Sequence, residues 1–508
     1  MMELLTNAQM NEADRLTISR GVAGIELMEN AGRAVADSVL RRHPPGTLIT
    51  IVAGPGNNGG DGLIAARVLK ERGYRPRVLL LADVHRFKGD ALIAAQRWNG
   101  SCEPATPGAV GPDSVVVDAL FGAGLERPVE GRARAMIEAM NGAGWVHAVD
   151  LPSGINGSNA AVMGLAVRAS ETVTFFRRKL GHVLLPGRVH CGTIHVADIG
   201  IGSQTLATIK PRVFINSPDL WLEVFPIPAV AGHKYSRGHA VVVSGGLYTT
   251  GAARLAARGA LRAGAGLVTI ASPRDALLVN AAASLAVMVR PVDGEVELAQ
   301  FLGDVRRNAV VIGPGGGVGE PMRKMVLAAL AGERAVVLDA DALTSFAQDP
   351  QALIGATAAR EGATLLTPHE GEFSRLFKEM DDVVNAPSKL ERTRLAAIRT
   401  GAICLLKGAD TVVAAPDGRA SILDEAPSWL ASAGAGDVLA GIAGALLAQG
   451  MPAFEAASAA VWLHAAAGMA VGPGLIAEDL PEALPRIYAR LFERRGVKTT
   501  DTARHNCL

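Results

Sequence analysis

The sequence predicts an α/β protein of two domains, each a parallel sheet covered by helices, and three observations carry that prediction. At 508 residues the chain is too long for one ordinary core, because domains usually take roughly 100 to 200 residues. Its composition, 49% hydrophobic but only 4% aromatic and rich in Ala, Gly and Val, suits sheets of small branched residues packed closely against helices. Short apolar runs alternate with amphipathic or Ala-rich segments through residues 47–197, periodicity fades across 198–211, and the alternation then restarts. The boundary is expected near 205–215, which divides the chain into 1–210 and 211–495 and leaves 496–508 as a tail expected to be disordered.

Two helical segments open the chain, Thr6 to Ser19 and Gly24 to Arg42, the second stopped by Pro44-Pro45-Gly46. Strands are expected at 47–53, 76–81, 114–118, 145–150, 171–175 and 193–197, with helices such as 61–72 and 131–140 between them. This is the βαβ rhythm of a parallel sheet buried on both faces. The second half repeats it with strands at 239–244, 266–271, 309–312, 335–339, 364–367, 403–407 and 411–414, each ending near Gly, Pro, Asp or His. The Ala-rich stretch 438–471 reads as two buried helices around Gly450-Met451-Pro452, since Gln449, Glu455 and His464 interrupt any membrane span.

Charge and cysteine usage narrow the classes of function. The net charge is +1 with Lys and Arg scattered, so no basic face is expected for nucleic acid, and Arg177-Arg178-Lys179 reads as a solvated cluster. Cys102, Cys191, Cys404 and Cys507 lie far apart without a C-x-x-C pair, and are expected to be reduced thiols rather than zinc ligands. The first residues lack a basic segment followed by an apolar one, and no apolar run reaches the ~18 residues needed to cross a bilayer. A cytoplasmic, soluble, homo-oligomeric protein acting on small molecules is expected, with neither membrane nor nucleic-acid partners.

Ligands of open parallel sheets bind beyond the carboxyl ends of the strands, so the residues just after each strand matter most. Gly54-Pro55-Gly56-Asn57-Asn58-Gly59-Gly60-Asp61-Gly62 follows the first strand and reads as a glycine-rich turn before a helix, with the amides and Asp61 free to bond a polar ligand. It is neither G-x-G-x-x-G with a ribose-binding acid nor a G-x-x-x-x-G-K-[ST] phosphate loop. Asp118 and Asp150-Leu151-Pro152-Ser153-Gly154 follow other strands. Amide, carboxylate and hydroxyl oxygens converging there suit a hard monovalent cation and leave one carboxylate for proton transfer. An isolated Asp at a strand end is as often a helix cap, so only the whole set points to a site.

That set, together with Leu27-Met28-Glu29-Asn30-Ala31-Gly32 and Asp118-Ala119-Leu120-Phe121-Gly122, resembles the NAD(P)H-hydrate epimerases over residues 1–210. The resemblance implies a Rossmann-like three-layer α/β/α domain. It implies that Asn57, Asn58, Gly59, Gly60 and Asp61, then Gly122, Ala123, Gly124, Leu125, Glu126, Arg127 and Pro128, contact the hydrated dinucleotide. It further implies that Asn58, Asp118 and Ser153 help bind potassium and that Asp150 binds substrate and is catalytic. Hydration of the nicotinamide C5=C6 bond creates a stereocentre at C6, and exchanging its epimers needs a placed proton donor and acceptor.

In the second half, Ser432-Ala433-Gly434-Ala435-Gly436-Asp437 leads into an Ala-rich helix expected from Val438, so glycine N–H groups meet a phosphoryl group and Asp437 can accept a hydroxyl proton. Lys407-Gly408-Ala409-Asp410-Thr411 is a tight turn, suited to clamp a nucleotide and equally readable as a bare hairpin. His369 alone reads as an ordinary strand-end histidine. With 233–239, Ser244-Gly245-Gly246, Thr250-Gly251-Ala252-Ala253, Ile312-Gly313-Pro314-Gly315, 338–343 and 367–372, these residues resemble the ADP-dependent NAD(P)H-hydrate dehydratases of the ribokinase-like superfamily over about 215–490. The resemblance implies a ribokinase-like α/β domain in which Ala253, Gly315, His369 and Asp437 contact the hydrate. Lys407, Gly408, Ala409, Asp410, Thr411 and Gly436 would contact ADP, with magnesium accompanying it. Gly315-Gly316-Gly317 departs from the pattern, which has a bulky apolar residue in the middle. The expected function is repair of hydrated NADH and NADPH, with a vitamin or sugar kinase carrying an N-terminal ligand-binding module as the alternative.

Overall fold

The computed structural model describes residues 2–229 and 231–497; most of the expected tail, and Cys507 with it, lies outside the described residues. Two compact units divide the chain, Glu3–Val213 and Phe214 onward.

The first unit is built on seven parallel strands, β1 (Leu48–Ala53), β2 (Arg75–Leu80), β3 (Cys102–Pro104), β4 (Val115–Ala119), β5 (Trp145–Val149), β6 (Glu171–Phe175) and β7 (Thr193–Ala197), in the order β3-β2-β1-β4-β5-β6-β7. Runs such as Ile49, Ile51 and Val52 are fully buried because helices cover both faces. Strand order reverses between β1 and β4, and their register pairs Ala53 with Ala119, so the two following loops leave the sheet side by side at the crevice where such folds bind ligands. The first helix, Asn7–Ser19, is started by a capping box in which Thr6 accepts from Gln9 N–H and Gln9 returns the bond.

Three features differ from the sequence expectation. The helix after β1 begins at Asn57 rather than Asp61, capped by Gly56, so Asn57 to Asp61 form its first turns. β3 was invisible because three residues at a sheet edge carry no alternation, and a helix, Gln204–Ile209, occupies the stretch that lacks periodicity.

The second unit carries β8 (His239–Val243), β9 (Leu267–Ser272), β10 (Met288–Pro291), β11 (Ala309–Ile312), β12 (Ala335–Leu338), β13 (Thr364–Leu366), β14 (Ile403–Leu406), β15 (Val412–Ala414) and β16 (Ala420–Ile422). They run in the order β16-β15-β14-β13-β12-β11-β8-β9-β10, parallel from β10 to β14 and antiparallel across β14-β15-β16. The Ala-rich stretch forms two helices, Ala435–Ala448 and Ala453–Val471, whose alanines lie in the main core cluster. Among the described residues Ala453–Val471 is the one helix long and apolar enough to cross a membrane, and 61% of its most apolar window is buried within the fold. Ala435–Ala448 begins three residues before the expected Val438, with Gly434 as its cap at φ 84°. It packs on the helix Thr250–Arg262 so tightly that a Cβ on Gly441 would lie 2.0 Å from the Ala256 carbonyl oxygen, and one on Gly259 2.8 Å from that of Val438.

Candidate active sites

At the β1/β4 crevice lies a cavity of about 750 Å3 lined by residues from the first two helices, the turn after β1, the loop 120–127 and the segment after β5. Asp150 follows β5 with φ 63° and lies at its wall. Its Oδ1 accepts from Lys179 Nζ at 2.6 Å and Thr174 Oγ1 at 3.0 Å, and its Oδ2 accepts weakly from Ala123 N–H at 3.3 Å. Burial pushes this carboxyl up, but the Lys179 ammonium outweighs it and holds Asp150 below its ordinary range.

Lys179 is a correction to the sequence reading. Its side chain is 2% exposed, and it donates to Asp150, Thr174 and the Phe175 carbonyl instead of facing water. Arg177 is also buried and pairs with Glu3. Behind them His182 accepts from Lys179 N–H at Nδ1 and donates from Nε2 to the Asp150 carbonyl at 2.7 Å. Burial first, and the Lys179 charge next, bring His182 down to about 4, so it is a neutral brace.

Two further carboxyl groups line the cavity. Asp61 is 8% exposed and accepts no hydrogen bond among the described residues, and burial first, then Asp150 and Asp14, raise it well above its ordinary value. Asp14, from the first helix, is pushed up to about 6, by burial foremost and Asp150 besides. Neither Asp14 nor the Lys179–His182 pair is visible as a site in the sequence. A signal for Asp14 exists: four residues after Met10 and three before the buried Thr17, it sits on the helix's inward stripe, where a carboxylate is out of place.

Asn57, Asn58, Asp61 and the run from Gly122 to Arg127 line the cavity, whereas Gly59, Gly60 and Pro128 do not. Gly59 and Gly60 are there for space: a Cβ would lie 1.8 Å from the Gly54 carbonyl oxygen and 2.6 Å from Met28 Sδ respectively. Asp118 is fully buried at the end of β4, where it accepts from Ser153 N–H at 2.8 Å and Ser153 Oγ at 2.6 Å, and burial pushes it up to about 6. Ser153 Oγ in turn accepts from Phe121 N–H, next to Gly122, whose Cβ position is 3.2 Å from Asn58 Oδ1. Asn58 Nδ2 is buried without a partner. Asn58 Oδ1, Asp118, Ser153 Oγ and the Phe121 carbonyl therefore form an oxygen-rich corner, the donor set a hard cation takes, while Asn58 Nδ2 is left free to donate to an acceptor.

In the second unit Asp437 sits in the first turn of Ala435–Ala448, whose free N–H groups favour anions. Burial first, then Asp339 and Asp341, push it up to about 6 against the opposing Lys407 charge. Lys407 Nζ donates to the buried Asp339 at 2.7 Å; burial lowers its affinity for a proton, but Asp339, Glu372 and Asp437 together raise it. A Cβ on Gly436 would meet only Lys407 Nζ, at 3.5 Å, so that glycine leaves room at the helix start. The Lys407–Thr411 turn joins antiparallel β14 and β15; Thr411 Oγ1 donates to the Gly408 carbonyl, and Asp410 is buried in an ion pair with Lys389 at 2.8 Å.

His369 has two positions of use. Its Nδ1 accepts from Gly371 and Glu372 N–H as the cap of the helix Glu370–Leu376, while its side chain stays 55% exposed. Gly315, at φ 62°, has its carbonyl held by Thr249 Oγ1 at 2.6 Å. The Ala253 methyl is fully buried in the core, so only neighbouring backbone can reach a ligand there. His464, which donates to the Ala435 carbonyl and is brought down to about 4 by burial, braces the helix start from behind. Among the described residues no three His, Cys, Asp or Glu side chains gather to hold a metal ion by themselves.

Comparison with known proteins matches each of the two units separately. A family described as YjeF-related protein N-terminus matches residues 24–181, and one described as NAD(P)H-hydrate dehydratase matches 240–486. The chain is 34% identical over 498 residues to the bifunctional NAD(P)H-hydrate repair enzyme Nnr of Coxiella burnetii, covering 94% of this chain and 98% of that one. It is 36% identical over 526 residues to the protein of the same name from Moorella thermoacetica, covering 97% and 98%. A solved Bacillus subtilis ADP/ATP-dependent NAD(P)H-hydrate dehydratase, co-crystallised with ATP/Mg2+, aligns with 55% of this chain and 98% of its own at 26% identity and a TM-score of 0.47. With near full-length identity above 30% to relatives that carry both halves in one polypeptide, the chain belongs to the family of bifunctional NAD(P)H-hydrate repair enzymes.

Proposed function

We propose that the first domain interconverts the R and S hydrates of NADH and NADPH at C6 and that the second removes water from the S hydrate with ADP as phosphoryl donor. The observation that carries this reading is the pair of separate carboxylate sites, each at the carboxyl edge of its own parallel sheet. Asn57, Asn58, Asp61, Gly122 to Arg127 and Asp150 line the pocket for the hydrated ring and its dinucleotide. The oxygens of Asn58, Asp118 and Ser153 would hold potassium, whose charge would keep buried Asp118 ionised and fix the 120–127 loop.

In the second domain Asp437 takes the proton from the C6 hydroxyl as its oxygen attacks the terminal phosphorus of ADP and the bond from that phosphorus to the bridging oxygen breaks, releasing AMP. Phosphate then leaves from C6, a C5 proton is lost, and the C5=C6 bond re-forms; phosphate leaves readily where hydroxide does not. Lys407, the 408–411 turn and Gly436 would hold the nucleotide, and Gly315, His369 and the backbone beside Ala253 the hydrate. Magnesium, which keeps waters and substrate phosphates as ligands, needs no all-protein cage and suits the acidic surplus of Asp339, Asp341 and Asp437. The free thiols of Cys102, Cys191 and Cys404 support a cytoplasmic setting.

The test is a coupled assay with separated epimers, run with ADP and then ATP. Recovery of reduced-nicotinamide absorbance from both epimers is expected. No recovery from the S epimer rejects dehydration, and no recovery from the R epimer rejects epimerisation.

A further inference from the structure

The epimerase cavity contains more acid than one catalytic carboxylate requires. Asp150 is committed: Lys179 and Thr174 occupy one oxygen, Ala123 N–H touches the other, and His182 fixes its backbone. A group so clamped is suited to remain ionised. Asp61 is the opposite case, a side chain more than nine-tenths buried, lining the cavity, with no donor from the protein. Asp14 lines the same cavity from a different element, and its carboxyl accepts no hydrogen bond among the described residues. The other charged groups around this space are Asp90, Glu126, Arg127 and Lys179.

We infer that Asp14 and Asp61 are the proton-transfer pair of the epimerase, sharing one proton between them, while Asp150 serves as the fixed negative charge. The inference rests on the epimerase reading of this cavity. Inverting C6 through loss and return of water requires an acid on one side of the ring and a base on the other, and the reverse direction requires those roles exchanged. A pair with one proton does both. One carboxyl gives its proton to the C6 hydroxyl; the C6–O bond breaks as the N1 lone pair forms C6=N1, and water departs. Water then adds to the opposite face, the C6=N1 pair returns to N1, and the second carboxylate takes the proton released. The first acid then regains a proton from water and the second returns one to it, so water and protons balance over the cycle. The ionised Asp150 faces the positive charge that develops on the ring. Like-charge repulsion fits this arrangement, because the charges of Asp14 and Asp150 each oppose ionisation of Asp61.

The experiment measures epimer exchange, starting from each pure epimer, for the full chain and for Asp61→Asn and Asp14→Asn. Each variant is expected to lose about 10²- to 10⁴-fold in exchange rate in both directions, the usual contribution of a general acid or base. Hydrate affinity, followed by equilibrium dialysis, should fall by far less than the exchange rate, since a general acid or base acts chiefly in the transition state. Each variant should also melt no lower than the wild type at neutral pH, because the neutral amide relieves a buried carboxyl crowded by like charge. Exchange in 18O-water should place 18O on C6 in the initial product. Wild-type-like exchange in either variant overturns the pairing, as does retention of the original oxygen; a rate lost together with affinity or melting temperature overturns it in favour of a structural role. A wild type that exchanges no epimers at all defeats the epimerase reading itself, which is a different outcome.

Discussion

The two glycine-rich helix starts, 54–62 and 432–437, look alike as strings and are glycine-rich for different physical reasons. In the first, glycine makes space. A Cβ on Gly54 would lie 2.1 Å from the Leu120 carbonyl oxygen, one on Gly59 1.8 Å from that of Gly54, and one on Gly62 2.5 Å from Ala119 Cβ, so the helix is pressed against the loop and sheet that build the cavity. In the second, Gly434 adopts φ 84° to start the helix, and Gly436 keeps open the place where a phosphoryl group would stand. One run shapes a cavity by packing, the other an anion site by exposing backbone. A glycine string therefore does not identify a phosphate cradle until its neighbours are known.

The sharpest break of the comparison is Asp437→Asn. It should lower dehydration by about 10²- to 10⁴-fold, the range for a lost general base, with epimer exchange unchanged. Loss of both activities in a folded variant would refute the independence of the sites. Next comes a glycine exchange. Gly59→Ala meets backbone with no room to yield and should destabilise the first domain by about 1–3 kcal/mol or more. Gly436→Ala should leave the second domain within about 1 kcal/mol of wild type, since helical Ala costs nothing, and instead weaken nucleotide binding. Separate thermal transitions and a nucleotide titration check both, and equal destabilisation would erase the distinction.

The smallest effect is in pH. Asp437, raised to about 6, works as a base only when ionised, so dehydration should fall about tenfold per pH unit below that value. The Asp14–Asp61 pair needs one proton and should slow exchange on the alkaline side as well, once that proton is lost. Rate profiles of the two half-reactions check it; an alkaline limb shared by both would assign it to something other than this pair.

Much of this architecture is legible in the sequence because strands buried on both faces are written as unbroken apolar runs such as Val115-Val116-Val117 and Ala309-Val310-Val311. Their order then places Asp118 and Asp150 at the sheet edge where such folds bind ligands. What stayed hidden depends on distance in space. Met288–Pro291 and Ala420–Ile422, four and three residues long, have no period to detect. Helices at Asn57 and Ala435 begin earlier than expected because close packing outweighs the poor helical propensity of glycine. Lys179 was masked by its arginine neighbours, a run that resembles any solvated surface. Asp14 reaches Asp61 across 47 positions of chain, a pairing no local pattern encodes.

The interlock at Gly259 and Gly441 has a mechanical consequence. Two helices whose main chains touch can neither slide nor tilt without collision, so the element bearing Ala253 and the element bearing Asp437 behave as a single jaw fixed to the sheet. A bulkier residue at either glycine would force the two main chains apart and displace Ala253 and Asp437 together, warping the anvil rather than blocking the hammer.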